Sequence, residues 1–247
     1  MGTFRAGVAI VDITPPLDIP LAGSIGTRYP GGVKTPLKAQ ALFLADGEEE
    51  VACISVDLCA FHHEDVAKVR SMVERRAGIP GENILITATH NHFGPQTYES
   101  FIGAGGYDEN YNNILNRKMA DAVVMAKKNS KTAKIGIGVG HEGTIAFNRR
   151  LRLIDGRVVM NFNTRDREVL KGAQALGPID PEVLVIRIDS ADDMPLAVVA
   201  NYALHNITCG GNDIHPDFAG YMGDVVRKVL GKEVLVPFLP GACGNIN

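Results

Sequence analysis

Three histidines in two short runs carry the chemistry of this 247-residue chain. His90 and His92 stand one residue apart in Thr87-Ala88-Thr89-His90-Asn91-His92-Phe93-Gly94-Pro95, directly after the apolar run Ile84-Leu85-Ile86. In an extended segment residues i and i+2 point to the same face, so the two imidazoles can converge on one point. That arrangement suits a metal ion, or a metal ligand with an acid/base partner beside it. His205 repeats the pattern, following the apolar stretch 196–203 and preceding the loop Cys209-Gly210-Gly211-Asn212-Asp213. Strand ends are where α/β proteins usually place their chemistry. Each histidine taken alone is more often a hydrogen-bonded structural residue, but three strand-end histidines are harder to explain separately.

The remaining candidates are weaker. His215-Pro216-Asp217 lies beyond His205, ahead of a helix. Asp217 is expected to cap that helix and His215 to be an exposed loop residue, with both kept as additional site residues should a metal need more ligands. His62 and His63 are adjacent and diverge, and His141-Glu142-Gly143 reads as a turn lacking the second half of H-E-x-x-H. Arg149, in Asn148-Arg149-Arg150, is placed either to hold a carboxylate or oxyanion or to sit on the surface. The four cysteines show no C-x-x-C spacing; Cys53 and Cys59 read as small core residues, and a reducing compartment is the simpler inference than a disulfide framework. Gly103-Ala104-Gly105-Gly106-Tyr107 neither follows a strand nor opens a clear helix, which argues against a dinucleotide loop, and the absence of G-x-S-x-G argues against a serine hydrolase.

The elements that must position these residues follow from composition and punctuation. Hydrophobic content of 45% and charged content of 21% are ordinary for a soluble globular protein long enough to bury a sizeable core. A net charge of -3 gives no reason to expect nucleic acid or an anionic membrane as partner. No span approaches the ~18 apolar residues of a membrane helix, and the opening apolar stretch resembles a first strand rather than a signal segment, so a cytoplasmic protein is expected. Strands are predicted over 8–13, 39–44, 50–57, 84–86, 134–139, 183–188, 196–203 and 234–239, with a further hairpin at 153–159. Helices are predicted over 63–77, 112–128 and 218–230. Residues 17–36, rich in Gly and Pro, read as a long loop, functional or mobile. The result is an α/β (α+β) layered fold, a mixed β-sheet core with flanking helices, in one domain spanning 1–247.

Several stretches together resemble the neutral/alkaline, non-lysosomal ceramidases and their small bacterial relatives. Ala6-Gly7-Val8-Ala9-Ile10-Val11-Asp12-Ile13-Thr14-Pro15-Pro16 is similar to that family's opening strand and A-D-I-T-P-P turn. The paired-histidine run is similar to its A-T-H-x-H-x-G-P motif. Asn148-Arg149, Ile179-Asp180-Pro181-Glu182-Val183, Asn201-Tyr202-Ala203-Leu204-His205, Asp217-Phe218-Ala219-Gly220-Tyr221 and the terminal 241–247 match further segments in order. The resemblance implies a zinc-dependent amidase (cofactor Zn²⁺) acting on a small-molecule or lipid-like amide. By it, His90 and His205 bind zinc while His92 and Arg149 face the substrate oxyanion. The metal would lower the pKa of a bound water towards ~7 and polarise the scissile carbonyl.

Three departures stand out. Arg150 replaces a serine and Asn206-Ile207 replaces the usual residues after the zinc histidine. The chain carries no visible secretion signal. It also ends at Asn247, ahead of the glutamate and tyrosine that complete the family's zinc shell, so a domain cut at its C-terminal end is expected. On that count only half of a four-ligand shell is present, and the competing reading is a catalytically incomplete fragment or non-enzymatic homologue with a partial metal site. A third reading fills the vacant positions with His215 or Asp217.

Overall fold

A computed structural model describes residues 3–100, 105–162 and 168–247; Gly103 and Ala104 of the glycine run lie outside them. The chain opens with an antiparallel meander of β1 (Arg5–Asp12), β2 (Lys38–Ala45) and β3 (Glu50–Val56). The β2–β3 turn forms because Gly47 takes φ +99° and the Asp46 carboxylate accepts the backbone N–H groups of Glu48 and Glu49. Helix α1 (His63–Ala77) then crosses to β4 (Ile84–Ala88), which pairs parallel to β3. Glu64 and Asp65 in its first turn and Arg75 and Arg76 in its last suit the helix dipole, and Gly78 at φ +72° closes it. Helix α2 (Glu109–Lys128) starts a turn earlier than its apolar spacing predicts, because Asp108 caps it by accepting the Tyr111 N–H at 2.6 Å.

Strand β5 (Lys131–His141) touches β1 only through Arg5 and Ala6, then pairs along its length with β9 (Glu182–Ser190). Its last residue is His141, so the predicted turn begins one residue later. Short strands β6 (Arg150–Arg152), β7 (Val158–Met160) and β8 (Gln174–Ala175) make a separate three-stranded sheet. A hairpin joins β9 to β10 (Pro195–Tyr202), and α3 (Asp217–Leu230) crosses from β10 to β11 (Phe238–Pro240), which runs parallel to it. The strand predicted over 234–239 is therefore corrected to three residues. Leu235 still bonds to Leu196 and Val198 of β10, but Pro237 has no N–H and the Val236 N–H goes to the Gln40 side chain, so the ladder is broken.

The main sheet has eight strands in the order β11-β10-β9-β5-β1-β2-β3-β4. This is the mixed sheet with flanking helices that the pattern predicts. Its two ends do not stay apart. Ser55 on β3 donates its hydroxyl to the carbonyl of Phe238 on β11 at 2.7 Å, and Ala6 and Leu42 pack in one buried cluster with Ile188, Ala197 and Val199. The halves of the sheet thus face each other, with α1 and α2 covering the first half and α3 packed against Tyr202 and Phe238 of the second. Two β-α-β units, β3-α1-β4 and β10-α3-β11, come together in this way, and they contain the strands that precede the three histidines, β4 and β10. No described helix is long and apolar enough to cross a membrane.

Candidate metal centre

The loop after β4 is clipped to the loop after β3: the Thr89 N–H bonds to Val56 O at 2.8 Å and the Asn91 N–H to Leu58 O at 2.9 Å. Asn91 is fully buried between the histidines. Its amide donates to Asp57 O and His215 O, and its oxygen accepts the Phe93 N–H. His90 takes φ +61°, a left-handed conformation that is uncommon outside glycine and characteristic of functional sites. His205 arrives from the end of β10, and the three imidazoles meet. His92 Nε2 lies 3.4 Å from His90 Nε2 and 3.0 Å from His205 Nε2, and the His90 and His205 ring centroids are 4.3 Å apart.

The opposite ring nitrogens decide what this cluster can do. His90 Nδ1 lies 2.9 Å from Cys59 O, His92 Nδ1 2.9 Å from Gly23 O, and His205 Nδ1 3.0 Å from Cys243 O. A carbonyl only accepts, so each Nδ1 carries the proton and each Nε2 presents a lone pair. Three lone pairs facing one another repel unless a cation sits among them, and a carbonyl behind each imidazole is the usual support of a metal-ligating histidine. Burial, followed by the neighbouring His90 and His205 rings, pushes His92 down to about 3. Burial likewise pushes His205 down to about 4, against the opposing pull of its bond to Cys243 O. Both groups therefore remain neutral, and able to ligate, well below neutral pH. This donor set fits a divalent cation that favours nitrogen.

The long 17–36 loop takes part in the support. Gly23 sits at φ +75°, and a Cβ there would stand 2.2 Å from His92 Nδ1, so only glycine leaves room for the ring. Arg28 donates to His92 O at 2.8 Å and to Gly211 O at 3.1 Å, with its guanidinium 5.2 Å from the Phe93 ring. Arg149 is half-buried. Its backbone pairs with Asn245, and its guanidinium donates twice to Asn247 Oδ1 at 3.0 and 2.7 Å. Its charge adds to the lowering of both His92 and His205.

His215 and Asp217 are elsewhere. The expectation of an exposed loop histidine is corrected: His215 is 1% exposed and stacks on Phe93 at 4.1 Å, because the 208–216 loop folds inward over Asn91. Asp217 is the first residue of α3, with Pro216 in the cap position and no side-chain cap. Its fully buried carboxylate accepts the N–H and hydroxyl of Thr208, the N–H of Cys209 and that of Phe218, so it mainly anchors a loop. Cys209, His215 and Asp217 hold their donor atoms within 4.8 Å of one another, as do Cys59, His90 and His92.

Cys59, Gly23, Arg28 and Asn247 are the site residues that sequence reasoning passed over. Cys59 is buried as expected of a core residue, and nothing in its spacing indicates that it faces imidazoles.

The neutral/alkaline non-lysosomal ceramidase family, in its N-terminal part, matches residues 4–228. This chain belongs to that family. Among curated ceramidases, neutral ceramidase A of Dictyostelium discoideum is 23% identical over 248 residues, covering 95% of this chain and 33% of the relative. Neutral ceramidase B of the same organism is 23% identical over 239 residues, 92% of this chain and 32% of the relative. The chain thus spans about a third of the length of these ceramidases. The crystal structure of neutral ceramidase from Pseudomonas aeruginosa superposes with a TM-score of 0.78 at 19% identity, over all of this chain and 39% of that one. A ceramidase complexed with C2 superposes at 0.79 with 18% identity and the same coverage. At these identities the superpositions establish the α/β fold shared with ceramidases.

Proposed function

We propose that this chain is a zinc-dependent hydrolase that cleaves an amide bond in a small-molecule or lipid-like substrate, with residues 1–247 forming one catalytic domain. One observation carries the reading: three imidazoles, His92 and His205 buried and His90 half-buried, each with Nδ1 fixed on a backbone carbonyl, turn their Nε2 lone pairs toward one another. His90 and His205 hold the ion. Family resemblance gives His92 to the substrate oxygen, yet with Nδ1–H committed to Gly23 it offers a lone pair rather than a proton, which suits a third ligand. Arg149 then remains as the donor to the carbonyl oxygen and to the charge that builds on it, its fork held ready by Asn247. A bound Zn²⁺ would polarise that carbonyl and supply a water acidic enough to attack near neutral pH.

The deciding measurement is zinc content of the purified chain together with hydrolysis of a short-chain N-acyl amide. About one zinc per chain is expected, with metal and turnover lost together in His90→Ala and in His205→Ala. Full zinc occupancy in both variants would sink the site; zinc bound without turnover would favour an incomplete homologue that retains the metal.

A further inference from the structure

Beyond Ala133, strand β5 has one edge without a partner. The Thr132 carbonyl accepts the Ala191 N–H and the Glu142 N–H goes to Pro181 O, both on the β9 side, whereas the Ala133 N–H turns the other way, to Phe4 O. Backbone direction alternates along a strand, so the N–H and C=O groups of Ile135, Ile137, Val139 and His141 point away from β9. They have no hydrogen-bond partner among the described residues, because β1 leaves β5 after Arg5 and Ala6. The side chains of Ile135, Ile137 and Val139 are 47%, 74% and 56% exposed. Soluble proteins usually blunt such an edge with proline, charge or a bulge, yet between Lys134 and His141 this one carries Ile, Val and Gly in unbroken register. Gly136, Gly138 and Gly140 occupy the other face. None of them takes a positive φ, and a Cβ at Gly136 or Gly138 would meet nothing within 4 Å, so the chain by itself has no need of glycine there.

We propose that β5 pairs antiparallel with β5 of a second copy of this chain, forming a dimer about a two-fold axis at Gly138. The edge is complementary to itself in that register. Ile137 faces Val139 of the second copy and Ile135 faces its His141, so outward-pointing backbone meets outward-pointing backbone. Each such pair exchanges two hydrogen bonds, about eight in all. Gly138 faces Gly138 of the second copy and Gly136 faces its Gly140, which lets bare backbone meet bare backbone. Lys134 faces Glu142 of the second copy, bringing opposite charges together at both ends. Both side chains are exposed, Lys134 now bonding to Asp193 and Glu142 to Thr144. A slip of one residue sets outward-pointing groups against inward-pointing ones, and a slip of two separates Lys134 from Glu142. The two-fold arrangement covers both free edges at once and so closes the assembly.

Sedimentation equilibrium tests the dimer. The wild-type chain should show twice its own mass of 26.5 kDa at tens of micromolar. Val139→Pro removes an outward-pointing N–H and leaves the β9 ladder intact, so it should show the single-chain mass with an unchanged far-ultraviolet circular dichroism spectrum. Should the proline variant fail to fold, Ile137→Lys sets a charge against the apolar pair and provides the same comparison. The charged ends read the register. Lys134→Glu or Glu142→Lys alone should weaken the dimer roughly 5–30-fold by placing like charges together, and the double exchange should restore it. A wild-type chain of single mass would overturn the proposal and leave the edge to a strand of another polypeptide. A dimer that survives in both Val139→Pro and Ile137→Lys would overturn it too, as would a double exchange no tighter than the single ones.

Discussion

Two side-chain clusters flank Asn91, and they use the imidazole in opposite senses. In the first, His90, His92 and His205 each give Nδ1–H to a backbone carbonyl and turn a lone pair toward the others. In the second, His215 Nδ1 accepts the Asp217 N–H at 3.2 Å, so its proton sits on Nε2, which has no hydrogen-bond partner among the described residues. The carboxylate beside it is already occupied by the Thr208, Cys209 and Phe218 donors. Both clusters contain a non-glycine residue at positive φ, His90 at +61° and Asp217 at +54°. Similar residue types and similar strain thus give one cluster poised for a cation and one that braces the loop behind it. Donor type and proximity are not enough; which nitrogen holds the proton separates them.

The largest effect should come from the first cluster. His205→Ala removes one of three converging lone pairs, and turnover of an amide substrate should fall roughly a thousandfold or more, with zinc lost in parallel. Activity assay and metal analysis on one preparation check this. Retained zinc would mean that the ion is held elsewhere.

The second cluster should respond in stability. Asp217→Ala strips the partners from three backbone N–H groups around a fully buried site, at a cost on the order of 3 kcal/mol. Chemical denaturation should show it as a shifted midpoint. A loss under about 1 kcal/mol would show that the carboxylate does not anchor the 208–209 loop.

How much of this difference could be read from the chain is instructive. The spacing of His90 and His92 and the apolar runs before all three histidines were enough to bring them together, because strand ends and period-two geometry are local properties. The supports were not legible. Cys59 O, Gly23 O and Cys243 O are backbone groups, and their residue types say nothing of where a carbonyl points. They reach the histidines through the pairing of β3 with β4 and of β10 with β11 and through the docking of the 17–36 loop, contacts between positions far apart in sequence. The burial of His215 was missed for the same reason: Phe93, which covers it, lies over a hundred positions away in sequence. The irregular end at Val236-Pro237 was misread as strand because its apolar run hides a missing N–H.

Asp57 tests the frame that joins the two clusters. It is 4% exposed, its carbonyl receives the Asn91 amide, and its carboxylate accepts the Lys38 N–H at 2.9 Å. Burial pushes its carboxyl up to about 7, against the opposing influence of Lys38 and Arg227. The folded state therefore holds this proton across a range, about pH 4 to 7, where the unfolded chain has released it. Stability from Asp57 is present at low pH and is lost as pH rises toward 7. Asp57→Asn should thus be more stable than the wild-type chain at pH 8, by about 1–2 kcal/mol, with no advantage at pH 4. Denaturation midpoints across that range check the sign, and a destabilised variant at pH 8 would show that the charged carboxylate is needed.

The smallest effect should be the most discriminating. His215→Phe keeps the stack on Phe93 and removes two things at once: the acceptor for the Asp217 N–H and a buried Nε2–H without a partner among the described residues. Leaving the buried Asp217 N–H without that acceptor costs about 1–3 kcal/mol, and relieving the second returns about 1–3 kcal/mol, so the two offset and the net change should centre near zero. Zinc content and affinity should not move. If His215→Phe instead lowered zinc binding as much as His205→Ala does, the ion would draw on both clusters and the proton on His215 Nε2 would have been displaced by metal. If it left the metal unchanged while His205→Ala removed it, the direction of the ring nitrogens would stand as the physical difference between the two sites.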